Sequence, residues 1–303
     1  MTSAKGSFWQ EAIVLFKEAG SAWSEDKVPR LSAALAYYTF FSLAPLLVIV
    51  IAIAGTLFGA DAVRGKLDNQ IAGLVGQQSA IAIQELVRNA YQPSSSWIAT
   101  SLATAAILLG VSGLFGELQG SLNTIWGVKP KPNRSWLDIL KERFVSFSMV
   151  FGIVFLLLVS LVISAAIAAV IGVLGSALPL PEFVPQVIDT LVSIGVITLL
   201  FAMIFKVLPD VQLTWKNVWV GSGLTAVLFV AGKSLISFYL GHSSATSAYG
   251  AAGSLVVVLL WVYYTAQILF FGAEFTKVFT RRYSEHPLPT ENAMLAEESL
   301  SKL

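Results

Sequence analysis

Cysteine is absent from the 303 residues, which excludes disulfides, thiolate metal sites and thiol nucleophiles. Histidine is nearly absent too: His242 and His286 are the only two, and no HExxH or comparable ligand spacing occurs. No metal or cofactor is therefore expected. Charge is equally scarce. Asp, Glu, Lys and Arg make up 12% of the chain, against roughly 25% in soluble domains. Leu43–Leu57 and Ser146–Leu178 contain none of the four. The first 30 residues lack an apolar core followed by a small-residue cleavage pattern, so no cleaved signal peptide is expected. Gly232-Lys233-Ser234 superficially matches the end of a phosphate-binding loop. Its upstream glycine is replaced by Val227, however, and it sits inside a hydrophobic run with no strand before it.

What fills the chain is apolar. Hydrophobic residues reach 56% and the mean hydropathy is +0.75, so too little polar surface remains to cover the chain in water. A spanning helix needs about 20 mostly apolar residues. Six segments qualify: Leu31–Phe58, Trp97–Trp126, Phe144–Leu174, Pro185–Leu208, Val218–Leu240 and Tyr249–Phe279. Threading them from an inside N-terminus puts fifteen Lys and Arg on the starting side and only Arg64, Lys66 and Arg88 opposite, with Lys233 inside a span. That bias predicts both termini in the cytoplasm. It also explains the basic residues by topology, leaving no call for a nucleic-acid surface. The predicted fold is an all-α polytopic membrane helix bundle.

Three pieces lie outside the spans. Residues 1–30 form a cytoplasmic segment in which Phe8, Trp9, Ile13, Phe16 and Trp23 recur at helical spacing. This reads as an amphipathic helix, either on the inner membrane face or packed on the protein itself. The external loop 59–96 carries two apolar stripes, Val63–Val75 and Ile83–Ala90, predicting two short helices that cap the outer face. The tail, 280–303, is polar and expected to be disordered.

Ionisable groups within a bilayer are functional candidates by default. Glu117 lies nine residues before Trp126 and Lys233 eight before Gly241, roughly 13 Å and 12 Å from opposite faces. The two are expected to face each other, as a static ion pair or along a substrate pathway with Tyr37, Tyr38 and Gln267. Glu274, near Lys277 and Arg281, reads as an interfacial ion-pair partner or a buried proton carrier. Pro45 should kink the first span, with Thr39 and Ser42 available to the backbone. Gly110, Gly113, Gly116 and Gly120 should let the second span pack closely.

Particular residues resemble a known family. Arg30-Leu-Ser-Ala-Ala-Leu-Ala-Tyr-Tyr-Thr-Phe-Phe-Ser-Leu-Ala-Pro-Leu-Leu is similar to the opening span of the YihY/virulence factor BrkB family of bacterial inner-membrane proteins. Tyr249-Gly-Ala-Ala-Gly-Ser, Leu260-Trp-Val-Tyr-Tyr and Phe271-Gly-Ala-Glu resemble its last span, and Pro209-Asp210 also fits. The resemblance implies about six spans, an envelope association and an old ribonuclease label. That label conflicts with a chain in which no hydrolytic constellation can be assembled. The reading is a transporter or flippase-like exporter of an amphipathic or lipid-related solute; the alternative is a non-transporting envelope scaffold. Membrane lipids are the expected partners. No enzyme activity is expected, and oligomeric state is left open.

Overall fold

The structure, a computed structural model, describes residues 8–58, 72, 77–90, 97–132, 183–242, 253–284 and 287–296, with single positions at 144, 148, 152 and 156. The described residues are mostly helical. In chain order they form α1 (Phe8–Glu25), α2 (Val28–Phe58), α3 (Gln77–Ala90), α4 (Trp97–Trp126), β1 (Val128–Pro130), α5 (Phe183–Val207), α6 (Trp215–His242), α7 (Gly253–Tyr283) and β2 (Ala293–Leu295). Five of the six apolar runs are thus helices. The run Phe144–Leu174 falls almost wholly outside the described residues, as does the loop stripe Val63–Val75. Among the described residues, three helices are long and apolar enough to cross a membrane, over Thr190–Val207, Trp215–Leu240 and Leu255–Tyr283.

Local signals set the helix ends. Lys27 closes α1 with a left-handed backbone (φ 53°) and Gly127 closes α4 in the same way (φ 67°), the conformation that commonly terminates helices. Pro29 stands in the first turn of α2, where its missing N–H costs nothing. Pro45 lies within α2, which continues to Phe58; its side chain is outside the described set. The two hydroxyls expected to serve the carbonyl freed by Pro45 do otherwise. Thr39 Oγ1 donates to the Leu35 carbonyl at 2.7 Å and Ser42 Oγ to that of Thr39 at 3.1 Å. Helical Ser and Thr reach back three or four residues, which puts the Phe41 carbonyl out of range of both.

Helix α7 is the hub, packing against α6, α2, α1, α3 and α4. Its contact with α6 is a reciprocal interlock of antiparallel helices. A Cβ on Gly221 would fall 1.8 Å from Thr276 Oγ1, and one on Gly272 would fall 1.9 Å from Thr225 Oγ1. Each threonine also bonds a carbonyl of its own helix, Thr225 to Gly221 at 2.7 Å and Thr276 to Gly272 at 2.6 Å. The backbones approach because the glycines have no side chain. Farther along, Gly232 receives Tyr264 and Ile268.

The glycines singled out on the second span divide. Gly110 meets the α2 backbone at Ser42 (3.5 Å) and Gly113 meets the Tyr38 ring (3.1 Å). Gly116 is exposed, and a Cβ on Gly120 would meet nothing within 4 Å. At about 100° per residue, Gly116 has turned a third of a circle away from Gly110.

Two peripheral pieces differ from expectation. Helix α3 does more than cap: Ala80 and Ile83 are buried with Ala36, Leu240, Val257 and Val258. Part of the tail, expected to be disordered, forms a strap over residues 287–296. Its strand β2 pairs antiparallel with β1, Lys129 opposite Met294, and Pro289 bridges Val211. Ala293 and Met294 are buried there, so short apolar burial and ladder hydrogen bonds order an otherwise polar segment.

Candidate functional site: a buried charged trio

The strap, the C-terminal end of α7, the α1–α2 turn and the α5–α6 connection gather at one end of the bundle, here termed the basic end. There α7 carries Glu274 and Lys277 one turn apart, the spacing that places side chains side by side. Lys277 Nζ donates to Glu274 Oε2 at 3.1 Å and to Asp26 Oδ2 at 2.8 Å. Glu274 is fully buried, at 0% exposure, and its Oε1 has no hydrogen-bond partner. Glu274 lies nine residues before the end of α7, roughly 13 Å along the helix axis. One ammonium between two carboxyl groups clasps the α1–α2 turn to α7.

Helix α1 holds this clasp from outside. Leu15 and Ala19 are buried with Phe275, and the Phe16 ring lies 5.4 Å from that of Phe275. The amphipathic segment is therefore packed on the protein along one face, while Trp9 and Ile13 on another face stay exposed. Trp23 donates its indole N–H to Gln267 Oε1 at 3.0 Å. Between α1 and α7 opens a cleft of about 470 Å³ lined by Glu18, Ser21 and Glu25 on one wall and Lys277, Arg281 and Arg282 on the other. Arg282 reaches Glu18 at 3.5 Å across its mouth. Lys277 thus belongs both to the cleft and to the buried trio.

A second polar cluster fixes the same end. The Asp210 carboxylate accepts from Asn123 Nδ2 at 2.7 Å and Gln119 Nε2 at 3.2 Å, and Asp210 N–H donates to Asn123 Oδ1 at 2.8 Å. The Asp210 carbonyl accepts from Thr290 N–H of the strap at 2.9 Å. Three segments meet here, α4, the α5–α6 connection and the strap. Nearby, Lys206 donates to the Leu213 carbonyl and lies 5.8 Å from the centre of the Trp215 ring, a cation–π distance. Among the described residues, no group of three or more His, Cys, Asp or Glu could hold a metal ion.

The sequence pattern of virulence factor BrkB matches residues 19–295, which takes in the trio, the Asp210 cluster and most of the strap. The chain belongs to the virulence factor BrkB family. Several of its relatives carry membrane names. A UPF0761 membrane protein of Tolumonas auensis is 26% identical over 83% of this chain and 80% of its own length. One of Alteromonas mediterranea is 25% identical over 86% and 87%. A Bacillus subtilis protein named putative ribonuclease-like protein YfkH is 25% identical over 91% of this chain and 98% of itself. No solved structure matches. The BrkB-family chain is accordingly a membrane protein.

In this BrkB-family protein the expected pathway residues are spread over the bundle. Glu117 is half-buried on α4 and Lys233 half-buried on α6; both helices touch α7 or its neighbours. Among the described residues, no hydrogen bond or ion pair joins Glu117 to Lys233. Tyr37 and Tyr38 are exposed on α2, edge to face at 5.7 Å. Gln267 is half-buried and engaged by Trp23. Glu274 and Lys277 meet directly, whereas Arg281 stands on the cleft wall. Sequence reasoning passed over Asp26, Asn123 and the carboxylate of Asp210, and read Trp23 only as part of the apolar stripe of α1. Asp26 had a faint signal, as an acid in the turn just before the Pro29-Arg30 start of the first span.

Proposed function

We propose that this protein is a six-span, multi-pass protein of the bacterial inner membrane, with both termini cytoplasmic. In this reading it is a transporter or flippase-like exporter of an amphipathic or lipid-related solute, and the basic end faces the cytoplasm. The observation that carries the reading is Glu274, a carboxyl group with no exposure inside a membrane-length helix. Buried ionisable groups at membrane depth are expensive and mark solute or ion pathways. Glu117 and Lys233 are the further polar positions along such a path, with Tyr37, Tyr38 and Gln267 as supporting contacts. The test is reconstitution into liposomes with labelled lipids and small amphipathic solutes, comparing wild type with Glu274→Gln and Glu117→Gln. Movement of a solute by wild type, lost in either variant, supports transport; no movement of any of them counts against it.

The second reading, a non-transporting envelope scaffold, is favoured by one specific observation. The α6–α7 interlock and the Asp210 cluster tie α6 to α7 and α4 to the strap at the basic end, which suits a rigid assembly partner.

A further inference from the structure

The trio, with Glu274 and Lys277 buried and Asp26 at its open edge, is short of positive charge. Fully ionised, Asp26, Glu274 and Lys277 sum to one negative charge, and Lys277 is the one cation within ion-pair distance of Glu274 among the described residues. Its ammonium spends two donors, one on each carboxyl group. Glu274 Oε1 is left buried with no donor, a costly state for a carboxylate oxygen out of water. Packing around the trio supplies no second cation: Arg30 on α2 and Lys216 on α6 are exposed, and Glu117 on α4 is an acid. Thr276 and Thr280 of α7 spend their hydroxyl hydrogens on carbonyls of their own helix. Across the cleft, Glu18 and Glu25 stand opposite Arg281 and Arg282, with Glu18 paired to Arg282 and Glu25 accepting from Ser21.

We propose that Glu274 is a proton-binding site, the trio holding one proton between the carboxyl groups of Glu274 and Asp26 beside the Lys277 ammonium. A proton shared by the two carboxyl groups brings the trio to neutrality, and a neutral Glu274 no longer leaves a charged oxygen, Oε1, buried without a donor. No bond other than O–H is made: the carboxylate takes a proton from water and returns it. The cleft supplies the route, since Lys277 lines it and touches both acids, and water can reach that ammonium without crossing the packed core. The inference goes beyond the transport reading, because occupancy by a proton is observable with no solute present.

The test is infrared difference spectroscopy of the full chain in lipid nanodiscs at neutral pH, reading the carbonyl stretch of a protonated carboxyl group. One such band is expected in wild type. It should be lost in Glu274→Gln, and lost in Asp26→Asn, where one acid then faces one base and Glu274 ionises against Lys277. Asp26 is partly exposed, so Asp26→Asn keeps the test open if Glu274→Gln fails to fold. Selective ¹³C labelling of glutamate carboxyls should shift the band without changing any residue. A band missing from wild type, unmoved by the label, or surviving either substitution overturns the proposal.

Discussion

Removing the Lys277 ammonium leaves two carboxyl groups facing each other, one of them wholly buried. Breaking a buried ion pair by deleting one partner costs about 3–5 kcal/mol, so Lys277→Met should lower stability in detergent by that order. Neutralising one of the two acids as well should recover part of the loss, because residues in one network do not add. The Lys277→Met, Asp26→Asn double variant should therefore be more stable than Lys277→Met alone, since the proton the trio holds then suffices for the one remaining acid. Denaturant unfolding of the four proteins of this cycle checks both statements. A single-variant loss under about 1 kcal/mol, or strict additivity, contradicts the geometry. Half of this site is readable from sequence, since Glu274 and Lys277 are one helical turn apart. The other half is not. Asp26 lies 251 positions from Lys277, and only the packing of α1 and α2 on α7 brings it near. Asp210 and Asn123 are hidden for the same reason, being 87 positions apart.

Glycine offers a sharper contrast between what helices show in sequence and what they do in contact. Four glycines crowd the second span, so density alone selects them, yet the tightest approaches fall at Gly221 and Gly272 on α6 and α7. Which glycine meets a neighbour depends on helix rotation, and rotation is fixed by partners that a single sequence does not name. In Gly221→Ala the new methyl would sit 1.8 Å from Thr276 Oγ1 and 2.8 Å from its Cβ. Such overpacking costs typically about 1–3 kcal/mol. Adding Thr276→Ala removes the hydroxyl but keeps that Cβ, so rescue should be partial. Gly120→Ala is the control: it meets open space, and alanine is a better helix former by about 0.5–1 kcal/mol, so its thermal midpoint should hold or rise. Equal effects of Gly221→Ala and Gly120→Ala would deny the interlock. The strap gives a second test at this scale. Lys131 N–H donates to the Asn292 carbonyl and Gln212 N–H to that of Leu288, at 3.0 and 2.9 Å. Ending the chain after Ser284 removes both acceptors, so hydrogen exchange at those two amides should accelerate while exchange in mid-α6 stays unchanged. Ala293-Met294-Leu295 is too short an apolar run to stand out in a polar tail, which is why the strap is invisible in the sequence.

At the scale of the whole molecule the sequence is most informative, because bilayer thickness imposes long apolar runs that need no partner to be recognised. Five of those runs are helices here, and the outward face of α6 bears the mark of a lipid solvent. On α6, Val227, Leu235 and Phe238 are exposed by half or more of their surface. Val227 stands twelve residues from the start of α6, about 18 Å along the axis, near the middle of the helix. In water, a substitution on such an open face changes stability by no more than about 0.5 kcal/mol. In a bilayer the same position is costly: arginine at the centre of a spanning helix raises the insertion free energy by about 2.5–3.5 kcal/mol. Val227→Arg should therefore sharply reduce the folded protein recovered from the membrane fraction, and Val227→Leu should not. Arg282→Ala, at the exposed basic end, serves as a charge control with little expected effect. The comparison isolates the solvent from the packing, since Val227 makes its exposed half available to lipid or water alike and loses no buried contact there. Membrane recovery of Val227→Arg equal to that of Val227→Leu would mean that water, not hydrocarbon, covers the middle of α6, and a spanning role for that helix would fall with it.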